Sequence, residues 1–381
     1  MNNIKERLEN NPDCQEALGI LQAYTGSLWR YDLRSAKAHQ ILELNEGIYS
    51  EISPSLKKYF ETLHSMNHIE FPENDENLSK FLFYSLGKQN ILKPFGDGNN
   101  RKQECGKIYK IKNATILTSP LSIAILDNEN RIVKECSHNA SEALWLWAKK
   151  NEEALNYRRI TKALFAGVQQ TFNLGHWFID SLPLIDYGVN DGEIDVNEFI
   201  LLIDTNKDSL IRDSCLKYKF LDTLSTLPFS CIKVEELVVP IINSFNARVR
   251  IGSMLIKSCF VPEEMNIMKL GFNPDDKPYK IYLSRQSSQR RKFANGKEVE
   301  DILRDHGYIT IIPELIDKKI MHWIITNAEI VLSGNGAGVC NTLFTNNKHH
   351  KTVIIYPETH PDDYYFNVTL SLDRKFIGIA S

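Results

Sequence analysis

The chain has 381 residues, 43% hydrophobic and 24% charged. That is the balance of a folded globular protein, and it excludes global disorder and a single small domain. Its 45 Lys and Arg stand against 48 Asp and Glu, so no overall charge draws it to nucleic acid or an anionic membrane. The seven cysteines are scattered and never form a CxxC pair, which speaks against a disulfide framework or a zinc knuckle. The stretch Met1 to Cys14 is polar and charged, and no long apolar run occurs. The sequence therefore predicts a cytoplasmic protein with neither signal peptide nor integral membrane segment.

Between Glu6 and Arg30 the residues Leu8, Ala17, Leu18, Leu21 and Leu28 recur at helical spacing, and 48–63 continues the pattern, so residues 1–100 read as a mainly helical N-terminal extension. The turn-rich stretch Pro94 to Asn100 closes it. After that the texture changes: 108–117 and 122–126 read as a strand hairpin, and 141–155 as an amphipathic helix with Ser141 as a cap. Phe199 to Ile203 is a continuous apolar run of the kind buried in a parallel sheet, followed by a helix over 209–224 and a strand over 234–240. A second series begins at Lys280: strand 280–284, helix 299–306, strand 309–312, helix 317–327, strand 329–332, helix 337–344 and strand 352–356. Such alternation implies right-handed crossovers and parallel sheets. The expected fold is α/β, with lobes over 101–260 and 261–381.

Three segments carry chemistry. In the first, Ser333-Gly-Asn-Gly-Ala-Gly338 joins a predicted strand to a predicted helix. Glycines there let backbone amides approach an anion, and the helix start favours negative charge; a plain tight turn uses the same residues. A dinucleotide fingerprint needs GxGxxG and a later acid, for which Glu358 is placed, but the spacing here is GxGxG, which fits a nucleotide diphosphate better. In the second, Ser284-Arg285 through Arg290-Arg291-Lys292 to Asn295 follows directly on a predicted strand. Its cations thus fall at the carboxyl edge of a parallel sheet, where guanidinium groups can grip phosphate, unless the run is simply a solvated loop. The third is His176-Trp-Phe-Ile-Asp180. On a helix, His176 and Asp180 share one face, either as a proton-transfer pair or as a pair that stabilises the helix.

Other signals are set aside. Asp191 to Glu198 copies the back half of a calcium loop but lacks the front half, and no acidic pair follows a strand in a way that would hold a metal, so no metal site is expected. His349-His350 falls in a polar loop and reads as surface.

Taken together the motifs resemble glycosyltransferase family 61, over about residues 107–381. Three blocks carry the resemblance, in the family's order and intervals: His176-Trp177-x-x-Asp180-x-Leu182-Pro183; Ser284-Arg285-x4-Arg290-Arg291-x3-Asn295; and Pro313-Glu314 through Ala328 to Gly334-x-Gly336-Ala337-Gly338-x-x-Asn341. Two positions depart from the family: Asn335 stands where histidine is usual, and Gly296 where an acid is usual. The resemblance implies a GT-B-like fold, with two Rossmann-like lobes of parallel sheet facing a cleft. It also implies an inverting transfer of sugar from a nucleotide-diphosphate sugar to a glycan acceptor in surface or capsular polysaccharide synthesis. On that reading Asp180 is the preferred base, with His176 as orienter or substitute. Arg285, Arg290, Arg291 and the amides at Gly336, Ala337 and Gly338 hold the diphosphate, beside Asn295 and Asn335. Glu314 and Asn341 position the loop or the ribose. The nucleotide sugar is a substrate, so no cofactor is expected. A catalytically silent nucleotide- or carbohydrate-binding protein of the same fold is the alternative, and a nicotinamide-dependent oxidoreductase is the third reading.

Overall fold

A computed structural model describes residues 49–50, 81–85, 88–92, 106–119, 122–133, 136–137, 157–167, 174–192, 194–203, 218–226, 230–242, 244–262, 270–273, 277–286, 292–345, 347, 349–356, 364–372 and 374–380. The strands, in chain order, are β1 (Tyr49–Ser50), β2 (Phe81–Ser85), β3 (Lys88–Leu92), β4 (Gly106–Ser119), β5 (Ser122–Leu126), β6 (Arg158–Phe165), β7 (Ile200–Ile203), β8 (Asp222–Ser225), β9 (Ser230–Ile242), β10 (Tyr279–Leu283), β11 (Tyr308–Ile311), β12 (Ala328–Gly334), β13 (Lys351–Tyr356) and β14 (Lys375–Ala380).

The first sheet has the order β1-β4-β9-β6-β7-β8, with β5 paired to β4. It is mixed, which corrects the expectation of a parallel sheet in this lobe. Strands β9, β6, β7 and β8 run parallel, but the long β4 lies antiparallel on β9 and β5 turns back on β4. The expected hairpin is present, and tight hairpins can only be antiparallel. Asp222–Leu224, placed in a helix by the sequence pattern, belong to β8, a strand alongside β7; the part of that predicted helix up to 217 lies outside the described residues.

The second sheet is parallel from β11 through β10, β12 and β13 to β14. Helices Gly296–Asp305 and Lys318–Thr326, and the 3₁₀ helix Ala337–Phe344, alternate with its strands. β2 and β3 add beyond β14, β2 parallel to it and β3 antiparallel to β2. Of the helical extension predicted for residues 1–100, the described parts are β1, β2 and β3. The rest lies outside the described residues, as do the boundary at 94–100 and the predicted helix 141–155.

Strand alternation sorts the second sheet's side chains onto two faces. Tyr282, Leu332 and Val353 meet Val299 and Leu303 of the 296–305 helix on one face. Ile281, Leu283, Val331 and Ile354 join the other core, which runs on through Met321, Ile324, Leu343 and Phe344 to Phe178, Ile179, Ile251 and Ile256, and then to Leu164, Leu201 and Val238 of the first sheet. Helices Leu182–Asp191 and Phe245–Cys259 thus lie in one continuous apolar core between the two sheets. No helix among the described residues is long and apolar enough to cross a membrane. His349 is exposed as expected, but His350 is fully buried, a correction to the surface reading. Burial first, then the nearby Arg374 charge, pushes its imidazole down to about 3, so it sits in the core as a neutral ring.

Candidate active site

Numbered along the chain from β10, strands β10 to β14 of the second sheet have the order 2-1-3-4-5. The chain leaves β10 toward β11, then crosses back over β10 to β12, so the connections diverge between β10 and β12. In open α/β sheets the crevice outside the carboxyl ends of the strands at such a switch point is where ligands bind. Arg285 follows β10 here, and Gly334–Gly338 follows β12.

Backbone glycines and a guanidinium meet at this edge. A Cβ built on Gly336 would lie 2.0 Å from Arg285 Nη1 and 2.5 Å from its Cζ, and one on Gly334 would lie 3.3 Å from Arg285 Cδ. Arg285 therefore packs along the turn with its guanidinium on Gly336, an approach that a larger residue at 336 would block. Ser333 donates its hydroxyl to Leu283 O at 3.2 Å, tying β12 to the end of β10. Ser284 donates to Glu300 Oε1 at 2.6 Å and accepts from the Gln286 amide at 3.2 Å, which fixes the start of the arginine segment.

The helix expected after the turn is present and is of the 3₁₀ type. Asn341 sits inside it, fully buried. Its Nδ2 donates to Gly338 O at 2.7 Å and its Oδ1 accepts from Lys318 Nζ at 3.4 Å, so its carboxamide is spent on shaping the loop. Asn335 is buried and its amide continues the strand ladder to Ile355 O at 2.9 Å. Ala337 and Gly338 are half-buried; Glu314, in the turn Pro313–Leu315 at the end of β11, is exposed. Asn295 is exposed at the start of the 296–305 helix, with Nδ2 3.4 Å from Glu298. Arg290 and Arg291 lie outside the described residues. Gly296 has a local reason to be glycine: a Cβ there would lie 1.6 Å from Gln286 Nε2, so the Gln286 carboxamide fills the space a side chain would need.

The His176 segment begins with a helical turn, Leu174–His176, and widens into a π-helical turn, Trp177–Ser181, where the Leu182 amide donates to Trp177 O. Pro183 follows at the start of the next helix, where its missing N–H leaves Ile179 O without the usual bond from four residues on. The turn is tied to the carboxyl end of β6 by the Ser181 hydroxyl, which donates to Ala166 O at 2.8 Å. It is pressed from the other side by the 245–259 helix: a Cβ on Gly252 would lie 2.1 Å from Phe178 O. Trp177 is buried.

His176 Nδ1 and Asp180 Oδ2 are 2.7 Å apart. The Asp180 side chain is 8% exposed and that of His176 28%. The second carboxylate oxygen faces Arg248 Nη2 at 3.4 Å. Tyr364 packs against the His176 ring with centroids 5.5 Å apart. Phe245 meets Tyr364 edge to face at 5.5 Å and lies under the Arg248 guanidinium at 5.8 Å. Burial first, then the Asp180 charge, pushes the Tyr364 phenol and the Cys340 thiol well above their usual ranges, so both stay neutral. The 174–176 turn packs against the 337–344 helix, which brings the His–Asp pair beside the structure that follows the glycine turn. The contact uses Nδ1, so Nε2 is the ring nitrogen not engaged by Asp180. His176 is the more exposed member of the pair and Asp180 the more buried one.

Sequence reasoning missed Arg248, Phe245 and Tyr364. A signal for the first two was present: Ser244 caps the helix, accepting from the Ala247 amide at 3.2 Å, and Ala247, Ile251 and Leu255 form its buried stripe. The calcium-like segment has other partners: Glu198 is paired with Lys162, and Asp195 accepts from the Asn197 amide at 3.0 Å. Among the described residues no group of three or more His, Cys, Asp or Glu is placed to hold a metal ion.

Residues 174–355 match the family model described as Glycosyltransferase 61. That span contains the His–Asp turn, the arginine segment and the glycine turn. No curated protein matches the chain.

Proposed function

We propose that this chain, whose residues 174–355 match the Glycosyltransferase 61 family model, is a glycosyltransferase that moves a sugar, with inversion, from a nucleotide-diphosphate donor to a hydroxyl of a glycan acceptor within a GT-B-like fold. A place in surface or capsular polysaccharide synthesis belongs to the same proposal. The observation that carries it is the seating of the Arg285 guanidinium on Gly336 at the switch point of the parallel sheet, with the His–Asp turn packed beside the helix that follows.

In the proposed reaction the acceptor oxygen attacks the anomeric carbon as the bond from that carbon to the diphosphate oxygen breaks. The acceptor's proton goes to His176 Nε2. Asp180 keeps the imidazole in the right tautomer and orientation and stabilises the cation it becomes. The leaving diphosphate takes the bonding electron pair, and Arg285, with the amides of the Gly336–Gly338 turn, offsets its charge.

The test is a screen of UDP, GDP, CMP and NADH for thermal stabilisation, followed by incubation of sugar conjugates of the nucleotide that binds with glycan acceptors. A nucleoside diphosphate should stabilise the protein most, and product should form with the opposite anomeric configuration to the donor. Binding without turnover of any conjugate would point to a silent member of the fold. Preference for NADH would overturn the proposal.

A further inference from the structure

We infer that Arg248 is a positioning residue of the transfer reaction: its guanidinium, carried to Asp180 by the 245–259 helix, holds that carboxylate turned toward His176 Nδ1 and by its charge opposes early protonation of the ring, so Nε2 is free to take the acceptor's proton. This rests on the assignment of His176 as the base.

Three observations support it. Asp180 is 5% exposed, and a buried carboxylate is costly without a cation or full hydrogen bonding. One oxygen is satisfied by His176; the other faces Arg248. Second, Tyr364 from the 364–371 helix and Cys340 from the 337–344 helix also lie close enough to feel the Asp180 charge, and both are neutral. Of these three neighbours from other elements, Arg248 alone brings charge. Third, Arg248 occupies the start of its helix, four residues after the Ser244 cap, where the helix dipole disfavours a cation. Helix stability does not put an arginine there, whereas service to Asp180 does.

The single contact at 3.4 Å is long for a charge-assisted hydrogen bond, and among the described residues the buried Arg248 Nε has no hydrogen-bond partner. Arg248 therefore acts on the pair through its charge more than through a locked geometry, and lysine at this position should retain most of the effect.

The experiment is a pH titration of the full chain labelled with 15N-histidine, with the His176 resonance identified by its loss in H176Q. Removing the cation in Arg248→Met favours the protonated ring, so the His176 midpoint should rise by about one pH unit. Arg248→Lys should move it by less than half as much, and Asp180→Asn should lower it. Opposite shifts on removing opposite charges are a result that loosened packing would not give. Once a donor is in hand, Arg248→Met should lower kcat about tenfold with KM for donor unchanged. An unmoved midpoint in folded Arg248→Met overturns the inference. If Arg248→Met and Arg248→Gln both fail to fold while Arg248→Lys folds, the arginine serves folding alone, and the inference is likewise overturned. The titration needs neither donor nor acceptor, so it stands or falls separately from the transferase reading.

Discussion

Replacing Gly336 with alanine isolates the contact on which the donor site depends. Its backbone is extended, with φ 161° and ψ 175°, so alanine brings no conformational penalty, and the added methyl acts through what it touches. That is Arg285, with Nη1 2.0 Å, Cζ 2.5 Å and Nη2 3.0 Å from the new Cβ. Ordinary contact requires the guanidinium to retreat by about 1.5 Å, far enough to break an N–H···O bond to a phosphate oxygen. A hydrogen bond to a charged group is worth about 1.5–3 kcal/mol, so affinity for a nucleoside diphosphate should fall roughly 10- to 150-fold with little change in the urea unfolding midpoint. Calorimetric titration of UDP and GDP into wild type, G336A, R285A and the double variant reads this directly. If G336A acts by displacing Arg285, the double variant binds no more weakly than R285A alone. Wild-type affinity in G336A, or strictly additive losses, would refute the reasoning.

Other expectations follow from the same contacts. Gly252→Ala sets a methyl 2.1 Å from the Phe178 carbonyl, a backbone atom that cannot swing away, and should cost about 3 kcal/mol in urea unfolding. Ser253→Ala, which loses the 2.6 Å hydrogen bond to Leu343 O, should cost about 1 kcal/mol. Gly296→Ala collides with Gln286 Nε2 and should destabilise measurably, with Gln286→Ala in the same chain restoring part of the loss. Burial first, then the Arg374 charge, pushes the Lys257 ammonium from 10.5 down to about 8. The unfolded chain therefore binds more protons between about pH 8 and 10.5, and the group's penalty on stability is full below that window and absent above it. Lys257→Met should raise stability at pH 7 by on the order of 1 kcal/mol after allowance for solvent screening, and by less at pH 9.5, as paired urea titrations would show.

The middle of the second sheet, β10, β12 and β13, was legible because most of its residues are buried, whereas β2, β3 and β14 were not read as strands. Lys280 to Ser284 and Glu329 to Leu332 read as apolar runs, and the intervening helices carry the matching period. The first lobe was less so. β6 opens on Arg158-Arg159 and its continuous buried run is confined to its last three residues, which hides it from pattern reading, and β8 is too short to show a period. The 245–259 helix was overlooked because Arg248, Arg250 and Lys257 break up its apolar stripe. In the site, Arg285 and the glycine turn were readable as strand-end features of one lobe. The contact between Asp180 and Arg248, which brings an arginine from a distant helix to the His–Asp pair, was not readable, because spacing along the chain does not encode it.

The most direct test of the account compares His176→Gln with wild type in donor binding and in sugar transfer. Donor affinity should stay within about twofold of wild type while turnover falls by about 10²–10⁴, the usual contribution of a general base. Transfer at the wild-type rate, or donor binding lost along with turnover, would contradict it.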